Sequence, residues 1–205
     1  MLELSEVKKK LNESKLLGAS RRGQFKIVKD VVESEKIDIN VQSFFTGRTP
    51  IILSAINSHE GIVEYLMERG ADIEKTDFFD ENLLVYAIRS NMSEKLCNSI
   101  INKSSFFNYK DDSEKTLLHL SIIHNKKSTF WTLIEKNVNV DTYDVNGISP
   151  LMCACELGNY HIVKELLDRG AKINRMDNSP IPRTVTDYAS KHIDILNLLS
   201  KYKNN

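Results

Sequence analysis

Histidine, cysteine and paired carboxylates are the side chains of this sequence with chemistry to offer. His119 ends the run Thr116-Leu117-Leu118-His119, while His59, His124 and His161 fall near the ends of helical stretches. An imidazole can act as a base. Three residues after a threonine, it can equally bond that hydroxyl or nearby backbone and tie adjacent turns together, since a buried polar group needs a partner. The structural role is the one expected for His119, and a surface position for the other three. Cys153 and Cys155 stand two apart, a spacing that points them to different sides of a helix. A shared metal is geometrically poor there, and no Cys-x-x-Cys or His-x-x-x-His pair completes a zinc set. Both, with Cys97, read as packing residues. Asp111 and Asp112 read as a solvated turn rather than an acid–base pair. The sequence has no Gly-rich phosphate loop, Gly-x-Ser-x-Gly or His-Glu-x-x-His. A non-enzyme with no metal and no cofactor is expected.

Bulk properties narrow the partners. Lys plus Arg and Asp plus Glu both number 28 in 205 residues, so the formal net charge is zero. That balance favours neither nucleic acid nor a membrane surface. The basic clusters Lys8-Lys9-Lys10, Arg21-Arg22 and Lys126-Lys127 are short and lack interleaved aromatics. No apolar run reaches bilayer-spanning length, and the first ten residues do not read as a signal peptide. Three cysteines, an odd number, favour a reducing compartment. These features predict a soluble cytoplasmic protein, monomeric when free; export into another cell without a cleaved signal is the alternative.

The elements that would position any site come from a repeat. Thr49-Pro50-Ile51-Ile52 and Ser149-Pro150-Leu151-Met152 are its clearest copies, with degenerate ones at Asn82-Leu83-Leu84-Val85 and Thr116-Leu117-Leu118-His119. The starts at 49, 82, 116 and 149 lie 33, 34 and 33 residues apart, and a fixed period in this range marks stacked units. Asp144 and Gly147 suit a turn. Ser149 suits a helix N-cap with Pro150 at N1, and Gly158 a left-handed helix end. Ile162, Val163, Leu166 and Leu167 then give a second helix one apolar face, and Gly170 stops it. In the middle copies Asn91, Asn125 and Asn137 take glycine places, asparagine being the other residue that tolerates that conformation.

This pattern resembles the ankyrin repeat family, whose unit is a β-turn followed by two antiparallel helices. The resemblance covers roughly residues 12–202. It implies an all-α solenoid of about six units starting near 14, 49, 82, 116, 149 and 184, the two terminal ones being degenerate caps. On this reading residues 12–205 form a single repeat domain preceded by an extension, 1–11, that is frayed or helical, and no effector domain is attached.

The resemblance also implies where a partner binds, because stacked repeats present a surface. Framework positions are dictated by stacking; turn tips and the outward side of the first helix vary and form the concave face. Mapped here, the tips are Phe44, Phe45, Thr46 and Arg48; Phe78, Phe79 and Glu81; Asp112, Ser113 and Lys115; and Val145, Asn146 and Ile148. The first-helix surface adds Arg21 and Arg22, Ile56 and Asn57, Arg89 and Ser90, Ile123 and His124, and Glu156 and Leu157. Four phenylalanines at two successive tips are out of keeping with the small polar residues turns favour. Either they form an exposed apolar patch of the kind that marks an interaction site, or one ring of each pair tucks under its turn. Arg48, Arg89 and Arg21 would supply rim contacts. Trp131, where other copies hold Lys29, Glu64 and Lys164, either packs across the neighbouring second helix, the outcome expected, or marks a secondary contact, and Phe106, Phe107 and Tyr109 are expected to be buried. The function expected is a protein-interaction module acting by sequestration, inhibition or scaffolding. The alternatives are an antitoxin-like immunity protein and a secreted effector, with an enzyme subunit the weakest rival.

Overall fold

The computed structural model describes residues 4–34 and 37–203. The first three residues of the N-terminal extension, on which the signal-peptide reading partly rests, and the last two of the repeat domain lie outside it. The described residues form twelve α-helices and no strand: α1 Leu4–Arg21, α2 Phe25–Ser34, α3 Pro50–Ile56, α4 Glu60–Glu68, α5 Leu83–Arg89, α6 Glu94–Lys103, α7 Leu117–Ile123, α8 Lys127–Glu135, α9 Pro150–Glu156, α10 Tyr160–Asp168, α11 Val185–Tyr188 and α12 Ile193–Lys203. Successive pairs make six repeats. The chain divides into two compact units, Met1–Phe106 and Phe107–Asn205, with three pairs in each. In the first, α3 packs against α1, α4 and α5; in the second, α9 packs against α7, α10 and α11. Residues 4–11 extend α1 as exposed helix.

Each first helix after α1 begins where a side chain satisfies amide donors that the helix leaves open. Ser149 Oγ accepts from Met152 N at 3.1 Å. Thr49 does the same for Ile52 N, and Asn82 Oδ1 for Leu84 N and Val85 N. Pro50 and Pro150 sit at the first helical position, where no donor is lost. The second helices bury one stripe, with Ile62, Val63 and Leu66 in α4 and Ile162, Val163, Leu166 and Leu167 in α10. At about 1.5–3 kcal/mol for each large apolar side chain, that stripe holds each pair to its neighbour.

A compact hairpin precedes every first helix after α1. In the fifth repeat Asp144 N donates to Ile148 O, while Asp144 Oδ1 accepts from Asn146 N and Ile148 N, both at 2.9 Å. Asp77 and Asp111 repeat the arrangement for residues 77–81 and 111–115. Residues 43–48 use a serine instead and hold one more residue: Ser43 N bonds Arg48 O, and Ser43 Oγ accepts from Arg48 N. The sixth hairpin, 177–183, holds two more than the standard, yet Asp177 still closes it through Arg183 N at 2.9 Å. Gly47 and Gly147 take the left-handed conformation these turns need, and Asp80 and Glu114 adopt it in the third and fourth.

Asn125 and Asn137 are left-handed as expected, and Ser58 fills the corresponding place in the second repeat. Asn91 is not. There α5 ends with Ser90 extended, and α6 starts late, capped by Ser93. The longer link buries Met92 and removes the need for a sharp reversal.

Candidate functional site

The predicted residues fall into two groups, one in each unit. In the first unit the second and third hairpins are joined by Phe78 N donating to Thr46 O at 3.0 Å. Counted from the residue that starts each hairpin, Ser43 or Asp77, the phenylalanines occupy the same first two places. Their rings do not tuck under the turns. Phe44 and Phe45 are 87% and 88% exposed, and Phe78 and Phe79 are 64% and 55% exposed. Phe44 and Phe45 meet edge to face at 5.2 Å. Phe78 lies over Gly47 so closely that a β-carbon there would come within 2.4 Å of its ring. The patch is therefore held in place by backbone bonds and by a glycine that leaves it room.

Arg48 is half-buried beneath this patch. Its Nε donates to Asp77 Oδ2 at 3.2 Å and its Nη2 to Tyr86 Oη at 3.0 Å, while Tyr86 Oη donates to the same Asp77 oxygen at 2.6 Å. Its guanidinium also lies 5.7 Å from the Phe79 ring centre, within cation–π reach. Burial first, then the bond to Asp77, pushes the Tyr86 phenol well above its ordinary value, so the hydroxyl stays a donor. Glu81 and Arg89 pair with each other. Thr46 and Ile56 are half-buried, and Asn57 is exposed beside them on the first-helix surface.

The second unit has no aromatic tips. Its fourth and fifth hairpins are joined by Val145 N donating to Ser113 O, and its fifth and sixth by Asn178 N donating to Asn146 O. Asp112, Val145, Asn146, Ile123, His124 and Glu156 are exposed, and Ile148 and Lys115 half-buried. A cavity of about 280 Å³ opens among Lys115, Ile123, Asp144, Ile148, Cys153, Glu156 and Leu157. Cys153 lines it as a neutral thiol, since burial pushes its pKa up to about 12.

The residues with chemistry to offer are engaged structurally. His119 Nδ1 accepts from Thr116 N at 3.1 Å, and Nε2 meets Ile148 O at 3.0 Å. Both ring nitrogens are thus satisfied in the neutral form, and burial lowers the pKa. His59 covers Gly23, where a β-carbon would strike its ring, and His192 covers Gly158 likewise. The three cysteines are buried and none forms a disulfide. Among the described residues no group of three His, Cys, Asp or Glu is placed to hold a metal ion, and no helix is long and apolar enough to cross a membrane.

One aromatic expectation needs revision, that of Phe106, while Trp131 meets the neighbouring second helix only in part. Trp131 packs edge to face on Phe130 at 5.3 Å, yet it stays 37% exposed, lining a groove with Tyr160 and His161. Tyr109 is buried as expected, but Phe106 is exposed, because Phe106 N is turned toward Ser104 Oγ as α6 ends. Sequence reasoning also missed Ile181, 83% exposed at the apex of the sixth hairpin between Pro180 and Pro182. The two-residue insertion there was a readable signal.

Comparison with known proteins agrees with this architecture. A family profile for ankyrin repeats (3 copies) matches residues 4–77 and 84–177. An ankyrin repeat protein of Fowlpox virus (strain NVSL) is 29% identical over 133 residues, 65% of this chain and 92% of that one. Ankyrin repeat protein nuc-2 of Neurospora crassa is 27% identical over 189 residues; these make up 91% of this chain but 17% of that much longer protein. Among solved structures, a chain from the complex of a predatory endopeptidase of Bdellovibrio bacteriovorus with an immunity protein superposes with a TM-score of 0.74, at 22% identity, over 91% of this chain and 97% of its own. At that identity the likeness is one of fold.

Proposed function

The chain belongs to the ankyrin repeat family, a general protein-interaction module, and from that premise we propose that it binds a protein partner through its turn tips and first-helix surface and acts by occlusion. The observation that carries this reading is the set of four exposed phenylalanines, Phe44, Phe45, Phe78 and Phe79, on two bonded hairpins of the first unit. The hairpins close without them: the bonds that shape 43–48 and 77–81 involve backbone, Ser43 and Asp77. Apolar rings in water that do not serve the fold are what an interface uses, and aromatic anchors dominate binding energy. Their pre-set positions also lower the ordering cost of association.

The test is affinity capture with wild type and with Phe45→Ala/Phe79→Ala, after thermal melts show both folded alike. Wild type should retain a partner that the double variant loses. Retention at equal strength by both would sink the reading.

A narrower reading makes that partner a toxin or protease that the chain neutralises. It draws on the likeness in fold to the Bdellovibrio complex, in which an endopeptidase is paired with an immunity protein. Co-expression with the product of an adjacent gene should then relieve growth inhibition; no relief from any neighbour would leave the general reading alone.

A further inference from the structure

Repeats three and six satisfy their hairpin aspartates in the same way, and repeat five does not. In the third, Asp77 Oδ2 accepts from Tyr86 Oη at 2.6 Å and from Arg48 Nε at 3.2 Å, while Arg48 Nη2 donates to the phenol oxygen. In the sixth, Asp177 Oδ2 accepts from Tyr188 Oη at 2.7 Å and Arg183 Nε at 3.1 Å, and Arg183 Nη2 donates to that phenol at 2.7 Å. Tyr86 and Tyr188 hold the same place, four residues past the N-caps Asn82 and Thr184. Four past Ser149 stands Cys153 instead.

The exchange leaves two marks on the fifth repeat. The 280 Å³ cavity lies beside Cys153, where the other two repeats carry a ring. Asp144 Oδ2, almost wholly buried, receives no hydrogen bond, although Asp144 Oδ1 is fully used by the hairpin. The cation is still present: Lys115 Nζ lies 3.3 Å from Asp144 Oδ2, reaching across from the preceding hairpin as Arg48 reaches Asp77. A phenol acceptor site, a phenol donor site and room for the ring therefore remain together without the tyrosine. The mouth is apolar, with Ile123 42% and Leu157 51% exposed. The volume falls just below the roughly 300–1,000 Å³ of drug-sized sites and suits a single side chain.

We infer that this cavity is a socket for a tyrosine side chain of the protein partner, its hydroxyl donating to Asp144 Oδ2 and accepting from Lys115 Nζ as Tyr86 does with Asp77 and Arg48. The inference rests on the reading of the chain as a protein-binding module and adds a second, chemically specific contact in the second unit. Charge sets the preference for tyrosine over phenylalanine, because a ring without a hydroxyl would cover a buried carboxylate oxygen that has only the lysine facing it and would give it no hydrogen bond.

The test uses p-cresol and toluene as probes, followed by amide NMR of the full chain. On wild type, p-cresol should shift Asn146, Ile148 and Glu156 with a Kd on the order of 1–10 mM, typical of so few atoms, and toluene should bind at least about fivefold more weakly. Cys153→Ala should keep this preference. Cys153→Tyr should supply the missing ring from within, abolish p-cresol binding and raise Tm by about 2–4 °C. Should that variant fail to fold, Asp144→Asn, which removes the charged acceptor of the phenol proton but leaves Lys115 as a donor, should narrow the preference over toluene, and an undiminished preference would overturn the socket. Equal binding of the two probes, or p-cresol binding that survives Cys153→Tyr, would overturn the socket. The probes are read without any partner, so failure of the tip reading and failure of the socket are told apart.

Discussion

The third and fifth hairpins share a backbone and differ in what they expose. Asp77 and Asp144 each close their turn with the same two amide bonds. Around Asp77 a tyrosine and an arginine fill the interior, and phenylalanines project outward. Around Asp144 the interior is hollow and the tip carries Val145 and Asn146. One copy of the repeat makes a protrusion and another a recess. The frame is common to both; shape is decided at the two residues after the aspartate and at the residue four past the N-cap.

Replacing each aspartate in turn is the strongest way to break this comparison. Asp77→Ala removes the one oxygen that accepts from two amides and strands Tyr86 and Arg48, so a loss of about 3 kcal/mol is expected. Asp144→Ala removes the equivalent oxygen and its two amide bonds but strands only a lysine beyond them, and about 1–2 kcal/mol is expected. Urea melts of the two variants would measure the gap, and equal losses would mean that the Tyr86–Arg48 cluster adds nothing. Next in size is partner binding. Phe45→Ala/Phe79→Ala should cost about 2 kcal/mol or more, on the order of 30-fold in Kd, with Ile181→Ala costing less. The reverse order, read by calorimetry with the captured partner, would move the anchor to the second unit.

A smaller contrast is titratable. The place of His119 is held by Ile52 and Val85 in the first unit. Burial lowers the pKa of His119 in the folded chain, so below about 6.5, the ordinary histidine value, the unfolded chain binds the extra proton. Stability from this group is present above that pH and is lost as pH falls toward the lowered folded value, by at most about 1.4 kcal/mol per pH unit for one proton. Hydrogen exchange between pH 7.5 and 5.5 should show α7 amides losing protection ahead of α3 and α5. A His119→Gln variant that keeps the full pH slope would refute the assignment. The smallest effect concerns Asp80 and Glu114, left-handed at φ 56° and 61° where Gly47 and Gly147 stand in other copies. Glycine at either position should raise stability by about 0.5–1 kcal/mol, visible as a small rise in Tm.

The frame was legible in the sequence because its signals are local. Thr49-Pro50 and Ser149-Pro150 cap a helix through contacts three residues long, and Gly147 or Gly158 announces its own backbone conformation. The candidate site was legible only where it repeats that local logic. Phe44, Phe45, Phe78 and Phe79 stood out because a turn has no use for them. Arg48, marked as a rim contact, turned out to serve Asp77 and Tyr86, which lie 29 and 38 residues away and meet it only through stacking. The cavity was invisible for the same reason: Cys153 looks like an ordinary packing residue until Tyr86 and Tyr188 show what its place holds elsewhere. Asn91 misled because one extra residue before α6 let the chain turn without a left-handed step.

The sixth hairpin carries a consequence of its own. Asp177 N bonds Arg183 O and Arg183 N bonds Asp177 Oδ1 at 3.0 and 2.9 Å, the same clasp at the same lengths as Asp144 makes with Ile148, although two more residues pass between. The clasp is indifferent to what it encloses, and lengthening a short loop adds little closure entropy. Each aspartate hairpin is therefore a ready graft point, where a foreign binding loop can be spliced between fixed feet and displayed without renegotiating the helices behind it.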